Sequence, residues 1–214
     1  MGTKNSPSGD DSGGADDTEA RLAMLARQNE LGAAATEALD AYGSEVFAYL
    51  LNVMGSESDA SEVFSQVGED LWRGLPKFAF RCSIRTWLYV LARHAMARFR
   101  RSPWNRAGRR AGDEQLEAVV AHTRTLTKPW LKTDVKDRWR SLRESLAPED
   151  RSLLVLRVDR QLEWKEIARV TLGEENLAGA DLTRESDRLK KRFQLLKDDL
   201  RRRARAAGLI DDGG

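Results

Sequence analysis

Apolar residues recur along most of the chain at helical spacing. They fall at intervals of three and four residues, which places them on one face of an α-helix. β-Branched and aromatic residues rarely alternate with polar ones, so strands are not indicated. The pattern predicts helices at 18–31, 33–54, 58–74, 83–101, 132–146, 149–159, 163–171 and 183–206. The fold class is therefore predicted to be all-α.

The clearest apolar stripe lies between residues 83 and 101. Ser83 is its predicted N-cap, because a serine hydroxyl accepts a hydrogen bond from a free amide of the first turn. The stripe consists of Ile84, Trp87, Leu88, Leu91, Ala92, Ala95, Met96 and Phe99. The residues that fall off the stripe predict a basic outer surface; they are Arg85, Tyr89, Arg93, Arg98 and Arg101.

A second well-marked helix begins at Pro148. Proline suits the first helical position, and the acidic Glu149 and Asp150 suit the positive end of the helix dipole. The buried side of this helix is predicted to consist of Leu153, Leu154, Leu156 and Val158.

Segments rich in glycine, serine, aspartate or proline divide the chain. Residues 1–17 have almost no apolar side chains and are predicted to be a disordered tail. Residues 103–131 contain scattered Gly and Pro with weak periodicity and are predicted to be a flexible linker, with one short helix near 114–121. Two small helical domains follow from this division, at 18–102 and 132–210.

Charge is distributed unevenly. Residues 28–72 hold nine acidic residues and no Lys or Arg, whereas residues 73–110 hold eleven Lys and Arg and no acid. A single run of like charge is usually a solvated helix face. Two adjoining runs of opposite sign favour two surfaces with different partners, one of them polyanionic.

Cysteine and histidine are too scarce for a metal or disulfide site. Cys82 is the only cysteine, and His94 and His122 are the only histidines. No phosphate-binding loop, catalytic triad or zinc-protease motif is present, so neither an enzyme nor a cofactor is indicated. No apolar run reaches membrane-spanning length and the N-terminus lacks a signal peptide, so we expect a cytoplasmic protein.

Basic and aromatic residues are interleaved from Arg81 to Arg110. Lys and Arg attract phosphates, and exposed aromatic rings can stack on unpaired bases. The aromatic members are Trp87, Tyr89, Phe99 and Trp104. Trp87 lies on the apolar stripe and is expected in the core.

A helix-turn-helix is predicted near the C-terminus. Residues 162–168 would form the supporting helix, with Ile167 and Ala168 packed inward. The second helix, from Thr183 onward, carries ten basic residues against four acids. Its apolar seam consists of Leu182, Leu189, Phe193, Leu196 and Leu200. The alternative is an ordinary amphipathic surface helix, but the preceding motif favours a helix for the DNA major groove.

Three segments together resemble the extracytoplasmic-function (ECF) group of bacterial sigma factors. Residues 59–72 are similar to the helix that docks on a coiled coil of the polymerase β′ subunit. Residues 80–94, Phe-Arg-Cys-Ser-Ile-Arg-Thr-Trp-Leu-Tyr-Val-Leu-Ala-Arg-His, are similar to the promoter-melting segment. Residues 146–168 are similar to the domain that reads the upstream promoter element. Gly68 in the docking helix and a turn about ten residues longer after Ala168 depart from the family pattern.

The resemblance implies three sets of binding residues. Those for polymerase are Asp59, Glu62, Gln66, Glu69 and Asp70. Those of the first domain for promoter DNA are Arg81, Arg85, Tyr89, Arg93, His94, Arg98 and Arg101. Those of the helix-turn-helix for promoter DNA are Lys165, Arg184, Arg188, Lys190, Lys191 and Arg192.

The implied function is a sigma factor that binds the RNA polymerase core, through its β′ and β subunits, and directs promoter-specific initiation. The chemistry would belong to the polymerase. An anti-sigma factor is a further class of partner, which the sequence leaves open. Two alternatives remain: a helix-turn-helix regulator that binds duplex DNA without polymerase, and a polymerase-binding adaptor without DNA contact. The 80–94 segment argues against the first and the basic surfaces against the second.

Overall fold

The computed structural model describes residues 12–102 and 131–210. Within these ranges the chain forms eight α-helices and no β-strand. They are α1 Ser12–Arg27, α2 Leu31–Met54, α3 Glu57–Gly74, α4 Ile84–Arg101, α5 Leu131–Glu144, α6 Pro148–Leu154, α7 Trp164–Leu172 and α8 Gly179–Ala206. A 3₁₀ turn, Leu75–Lys77, follows α3, and a π-helical turn, Val155–Asp159, continues α6. The all-helical prediction is confirmed for these residues.

Helices α1 to α4 pack together, with α2 lying against α1, α3 and α4. The chain turns between α2 and α3 at Gly55, whose φ of 74° is a left-handed conformation that glycine adopts without strain. Ser56 then caps α3 by accepting a hydrogen bond from the amide of Asp59 at 3.2 Å. The apolar stripe predicted for α4 is buried along its whole length.

Helices α5 to α8 form the second group. Pro148 begins α6 as predicted, and the predicted inward residues Ile167 and Ala168 of α7 are fully buried. Helix α7 packs along α8, where Trp164 meets Phe193 edge to face at 5.5 Å between ring centroids. The predicted seam of α8 is buried at Leu182, Leu189, Phe193 and Leu196 and partly buried at Leu200.

The two groups share one hydrophobic core. Buried side chains run without interruption from Leu22 in α1 to Leu196 in α8. Helix α4 packs against α7, and α2 packs against α6. Within the described ranges, none of the helices combines the length and apolar character needed to cross a membrane.

Three sequence predictions need correction. Helix α1 begins at Ser12, so residues 12–17 are helical rather than part of a disordered tail. Val158 is 47% exposed instead of buried, because the π-helical turn after α6 has a wider turn than an α-helix and rotates later side chains out of phase. Helix α8 begins at Gly179 rather than Thr183, so the turn after α7 spans only residues 173–178.

Some predictions lie outside the described residues. These are residues 1–11 of the predicted tail, residues 103–130 of the predicted linker with its short helix at 114–121, and Trp104.

Candidate nucleic-acid interface

Helix α3 presents an acidic face beside its buried face. Ala60, Val63, Val67 and Leu71 point into the core. The predicted polymerase-binding residues lie on the neighbouring side of the helix, since 3.6 residues complete a turn. Glu62 and Glu69 are exposed, whereas Asp59, Gln66 and Asp70 are partly exposed. The face is thus accessible to a partner.

Asp70 and Glu69 form ion pairs within the chain. Asp70 is paired with Arg98 of α4, which links a predicted polymerase contact to a predicted DNA contact. Glu69 pairs with Arg73 one turn later at 3.2 Å, an exposed pair of small energetic value. Glu62 has no ion pair with the described residues.

The N-terminus of α4 is capped from two directions. Ser83 accepts a hydrogen bond from the amide of Thr86 at 3.0 Å, as its sequence position predicts. The Glu19 carboxylate of α1 accepts from the amides of Ile84 at 2.8 Å and Arg85 at 3.1 Å. A carboxylate at this position satisfies free amides and complements the helix dipole.

Aromatic rings gather in the loop before α4. Phe78 stacks on Trp87 with ring centroids 4.2 Å apart, and Phe80 tilts against Phe78 at 4.8 Å. Trp87 is buried, as predicted. Phe80 has a φ of 52°, a left-handed conformation that is strained for a bulky residue. Arg81 follows in this loop and is exposed.

The predicted basic outer surface of α4 is only partly exposed. Arg98 and Arg101 face solvent. Arg85 donates to both carboxylate oxygens of Glu45, at 2.6 and 2.9 Å, and to the carbonyl of Arg160 at 3.0 Å. The pKa of Arg85 is raised, chiefly by the hydrogen bond to Glu45.

The prediction that Tyr89 lies on this outer surface is wrong. Its side chain is fully buried and meets Tyr49 edge to face at 5.3 Å. Burial raises the pKa of the Tyr89 hydroxyl, and the negative charge of Glu45 adds to the effect. This neighbour, Tyr49, belongs to α2, and the spacing of apolar residues within α4 does not reveal the contact.

Arg93 and His94 also face the second group of helices. Arg93 lines a cavity of about 200 Å³ together with Arg188 and Arg192 of α8. A Cβ atom placed on Gly173 would lie 2.6 Å from Nε2 of His94, so this ring touches the end of α7. The structure therefore brings together residues predicted for two separate DNA surfaces.

Helices α7 and α8 carry the remaining predicted DNA-binding residues. Lys165, Arg184, Lys190 and Lys191 are exposed. Arg184 pairs with Asp181 at 3.1 Å and Lys190 with Asp187 at 3.0 Å.

Arg188 and Arg192 are held more firmly. Arg188 donates to both oxygens of Glu185, at 2.7 and 2.8 Å, and this hydrogen bonding raises its pKa. Arg192 donates to Asp150 of α6 at 2.6 Å. Neighbouring acids thus orient these cations, whereas Lys191 has no ion pair with the described residues.

Sequence reasoning missed the polar residues that join the two groups. Thr86 is buried and donates to Glu166 at 2.6 Å, and the buried hydroxyls of Tyr49 and Ser152 lie 2.8 Å apart. A weak signal existed, since Glu163 and Glu166 have the spacing of a capping box, and Glu166 does accept from the amide of Glu163 at 2.8 Å. Nothing in the sequence indicated that Glu166 also accepts a hydrogen bond from Thr86.

Cys82 lies half-buried in the loop before α4. Burial raises the pKa of its thiol to about 11. The thiol is therefore protonated near neutral pH and a poor nucleophile. Among the described residues, no group of three or more His, Cys, Asp or Glu side chains could hold a metal ion.

Comparison with known families identifies one segment. Residues 38–106 match the family model of Sigma-70 region 2, a span that begins within α2 and includes α3 and α4. The match supports a relationship to the sigma-70 family and a sigma-factor role in RNA polymerase binding and promoter melting. A search of curated proteins found no match.

Proposed function

We propose that this chain is a sigma factor of the ECF group, which binds the RNA polymerase core and directs initiation at specific promoters. The match of residues 38–106 to Sigma-70 region 2 carries the proposal. The chain would supply binding and strand opening, and the polymerase would supply the chemistry.

The acidic face of α3 is proposed to dock on the polymerase β′ subunit. It is adjacent to the buried face, so the bundle of α1 to α4 holds it in a fixed orientation. Its members are Asp59, Glu62, Gln66, Glu69 and Asp70. Exposed carboxylates of this kind steer association and select partners more than they add affinity.

Helix α4 and the loop before it are proposed to bind the melted minus-ten element. Arg81, Arg98 and Arg101 are exposed and could meet phosphates. The aromatic cluster of Phe78, Phe80 and Trp87 lies at the same end of α4 as Arg81. The resemblance also implies contacts at Arg85, Arg93 and His94, and at Tyr89, which is fully buried in this structure.

Helices α7 and α8 are proposed to form a helix-turn-helix that reads the minus-thirty-five element. Burial of the α8 seam against α7 leaves Arg184 and Lys191 exposed on the outer side of α8, where a major-groove helix carries its contacts. Arg188, which is exposed beside the cavity that it shares with Arg93, is also proposed. Lys165, Lys190 and Arg192 complete the proposed set. We also propose a cytoplasmic location, two separable domains and, as a further partner, an anti-sigma factor.

Binding to the polymerase core tests the central proposal. Purified chain would be mixed with core enzyme and separated by size exclusion, with a known sigma factor as competitor. We expect a stable complex that the competitor displaces. Absence of a complex, together with salt-sensitive binding to duplex DNA, would instead favour a helix-turn-helix regulator that works without polymerase.

Strand opening tests the proposed role of α4. Replacing Arg93, Arg98 and Arg101 together by Ala should reduce permanganate-reactive promoter bases more than it reduces core binding, because all three lie on α4, the proposed DNA-binding helix, whereas the proposed docking residues lie on α3 and are linked to α4 through the Arg98–Asp70 pair. Equal loss of both activities would contradict the assignment. Lys77→Ala, at an exposed cation outside the proposed set, provides the control.

A further inference from the structure

Helix α1 lies outside the segment that matches Sigma-70 region 2, yet it is built into the same bundle. Leu22 of α1 is fully buried, and Arg21 pairs with Glu37 of α2 at 3.0 Å. Glu19 lies three residues before Leu22 and therefore on the same side of α1. The bundle thus holds the Glu19 side chain in a defined place beside the start of α4.

The Glu19 carboxylate uses both of its oxygens on α4. Oε2 accepts a hydrogen bond from the amide of Ile84 at 2.8 Å, and Oε1 accepts one from the amide of Arg85 at 3.1 Å. Ser83 accepts from the amide of Thr86. The first three amides of α4 therefore all have partners, and two of them depend on a residue of another helix. The negative charge also faces the positive end of the α4 dipole.

The loop before α4 rests on the turn that Glu19 caps. Phe78 stacks on Trp87, the fourth residue of α4, so the loop and the first turn of the helix are packed together. Phe80 has a left-handed φ of 52°, which a bulky residue keeps only where its surroundings fix it. Fraying of this turn would release both the aromatic cluster and Arg81, the exposed cation of the loop.

We propose that Glu19 is a positioning residue for strand opening: it holds the first turn of α4 against α1 and thereby fixes the loop before α4 in the form that meets unpaired DNA. Water could satisfy the amides of an exposed helix start, but water cannot fix that helix against a neighbouring one. The inference rests on the proposed function, because the surface that Glu19 fixes is the one proposed to bind the melted minus-ten element. It adds a residue outside residues 38–106 that acts without touching DNA.

Two variants remove the hydrogen bonds in steps. Glu19→Gln keeps one acceptor oxygen but loses the charge, and Glu19→Ala loses both acceptors. Asp17→Asn and Asp17→Ala are the matched controls, because Asp17 is an exposed carboxylate of the same helix. Its separation of two residues from Glu19 places it on another side of α1. Circular dichroism would verify that all four variants are folded.

Alkylation of Cys82 reports on the loop in the free chain. This thiol lies half-buried in the loop, where the charges of Glu19, Glu166, Glu175 and Arg169 all act on it. Only the first of these charges changes in the Glu19 variants. Glu19→Gln should raise the rate with iodoacetamide at pH 8.5 roughly threefold, because loss of a nearby negative charge favours the thiolate. Glu19→Ala should raise it about tenfold, because the loop also loosens, and the controls should leave it unchanged.

Strand opening by the reconstituted holoenzyme is the second measurement. The template would be a promoter that the wild-type chain, bound to core polymerase, selects from randomised duplex DNA. Permanganate-reactive bases should fall about tenfold with Glu19→Ala and roughly threefold with Glu19→Gln, since a lost cap hydrogen bond shifts a local equilibrium by about this factor. Affinity for core polymerase should be unchanged, because Glu19 lies on α1 and not on the α3 docking face.

Each outcome has a defined meaning. Faster alkylation and weaker opening with unchanged core binding would support the inference. Unchanged alkylation would overturn it, and so would faster alkylation with normal opening, while the proposed function would stand in both cases. Equal loss of core binding and opening would also overturn it, since that result indicates a structural role alone.

Failure of the proposed function is recognised separately. If the wild-type chain does not bind core polymerase, the proposed function fails before any variant is compared, and the inference fails with it. Should Glu19→Ala not fold, Glu19→Gln would be compared with Asp17→Asn, and the same two threefold changes would decide the outcome.

Discussion

Gly173 offers a quantitative test of how α4 and α7 meet. It ends α7 with a φ of 72°, and a Cβ atom at this position would lie 2.6 Å from Nε2 and 3.0 Å from Cδ2 of His94. Two separate demands therefore select glycine here. One is the left-handed backbone, and the other is the close approach of the His94 ring.

Gly55 has the left-handed backbone but not the close neighbour, so it allows the two effects to be measured separately. Gly55 ends α2 with a φ of 74°, and no atom lies within 4 Å of the place that an alanine Cβ would occupy there. Gly55→Ala should therefore cost only the left-handed penalty of about 1–2 kcal/mol. Gly173→Ala should cost that amount plus about 1–3 kcal/mol for overpacking, reduced where the ring can shift.

Urea unfolding monitored by tryptophan fluorescence and circular dichroism would measure both losses. The variants His94→Ala and Gly173→Ala/His94→Ala complete a double-mutant cycle. In the double variant the His94 ring is absent, so the alanine at position 173 should cost only the left-handed backbone penalty and not the overpacking penalty. We expect a coupling free energy of about 1–2 kcal/mol between residues 94 and 173.

Equal destabilisation by the two glycine-to-alanine variants, with no coupling to His94, would refute this reasoning. It would mean that α7 does not press on α4 in solution. Coincidence of the two spectroscopic transitions is the control, because separate unfolding of the two groups would make a single free energy meaningless.

Three further predictions concern single positions. Gly68→Ala should raise the melting temperature by about 2–4 °C, because the Cβ site is open and alanine favours mid-helix by about 1 kcal/mol; an unchanged or lower value in calorimetry would contradict it. Cys82 should react with iodoacetamide at pH 7.5 roughly a hundredfold more slowly than free cysteine and accelerate towards pH 11, because its raised pKa leaves little thiolate; a rate that is flat above pH 9 would oppose this. Glu62→Lys should weaken core-polymerase binding about tenfold by reversing an exposed charge on α3, whereas Asp40→Lys, the same reversal on α2, should not.

Helical periodicity predicted most of the fold because amphipathic spacing reports directly which side of a helix is buried. Each apolar position expected on α4 is buried, and the Ser83 cap and the Pro148 start of α6 lie where expected. The predicted burial of Val158 is wrong because a π-helical turn breaks the 3.6-residue period of the α-helix. The predicted start of α8 at residue 183 is wrong because Gly179 and its neighbours have the composition of a turn although they are helical.

The contact between the two groups of helices could not be predicted in the same way. Tyr89 falls off the α4 stripe, so periodicity assigns it to solvent, yet it is fully buried and packs edge to face on Tyr49 of α2. The side-chain hydrogen bonds between the two groups follow no sequence periodicity. Thr86 and Glu166 are 80 residues apart, and Tyr49 and Ser152 are 103 apart.

The charge runs have a partly internal explanation. Glu45 binds Arg85 through two hydrogen bonds and Asp70 pairs with Arg98, so acids of residues 28–72 neutralise bases of residues 73–110 across the bundle. Such pairs orient α4 on α2 and α3, and they reduce the charge offered to a partner. Exposed charges without an ion pair to the described residues are the better candidates for contact with a partner. Glu62 and Arg81 are exposed without an ion pair to the described residues, and they lie on α3 and in the loop before α4, the two places where a docking surface and a DNA surface are proposed.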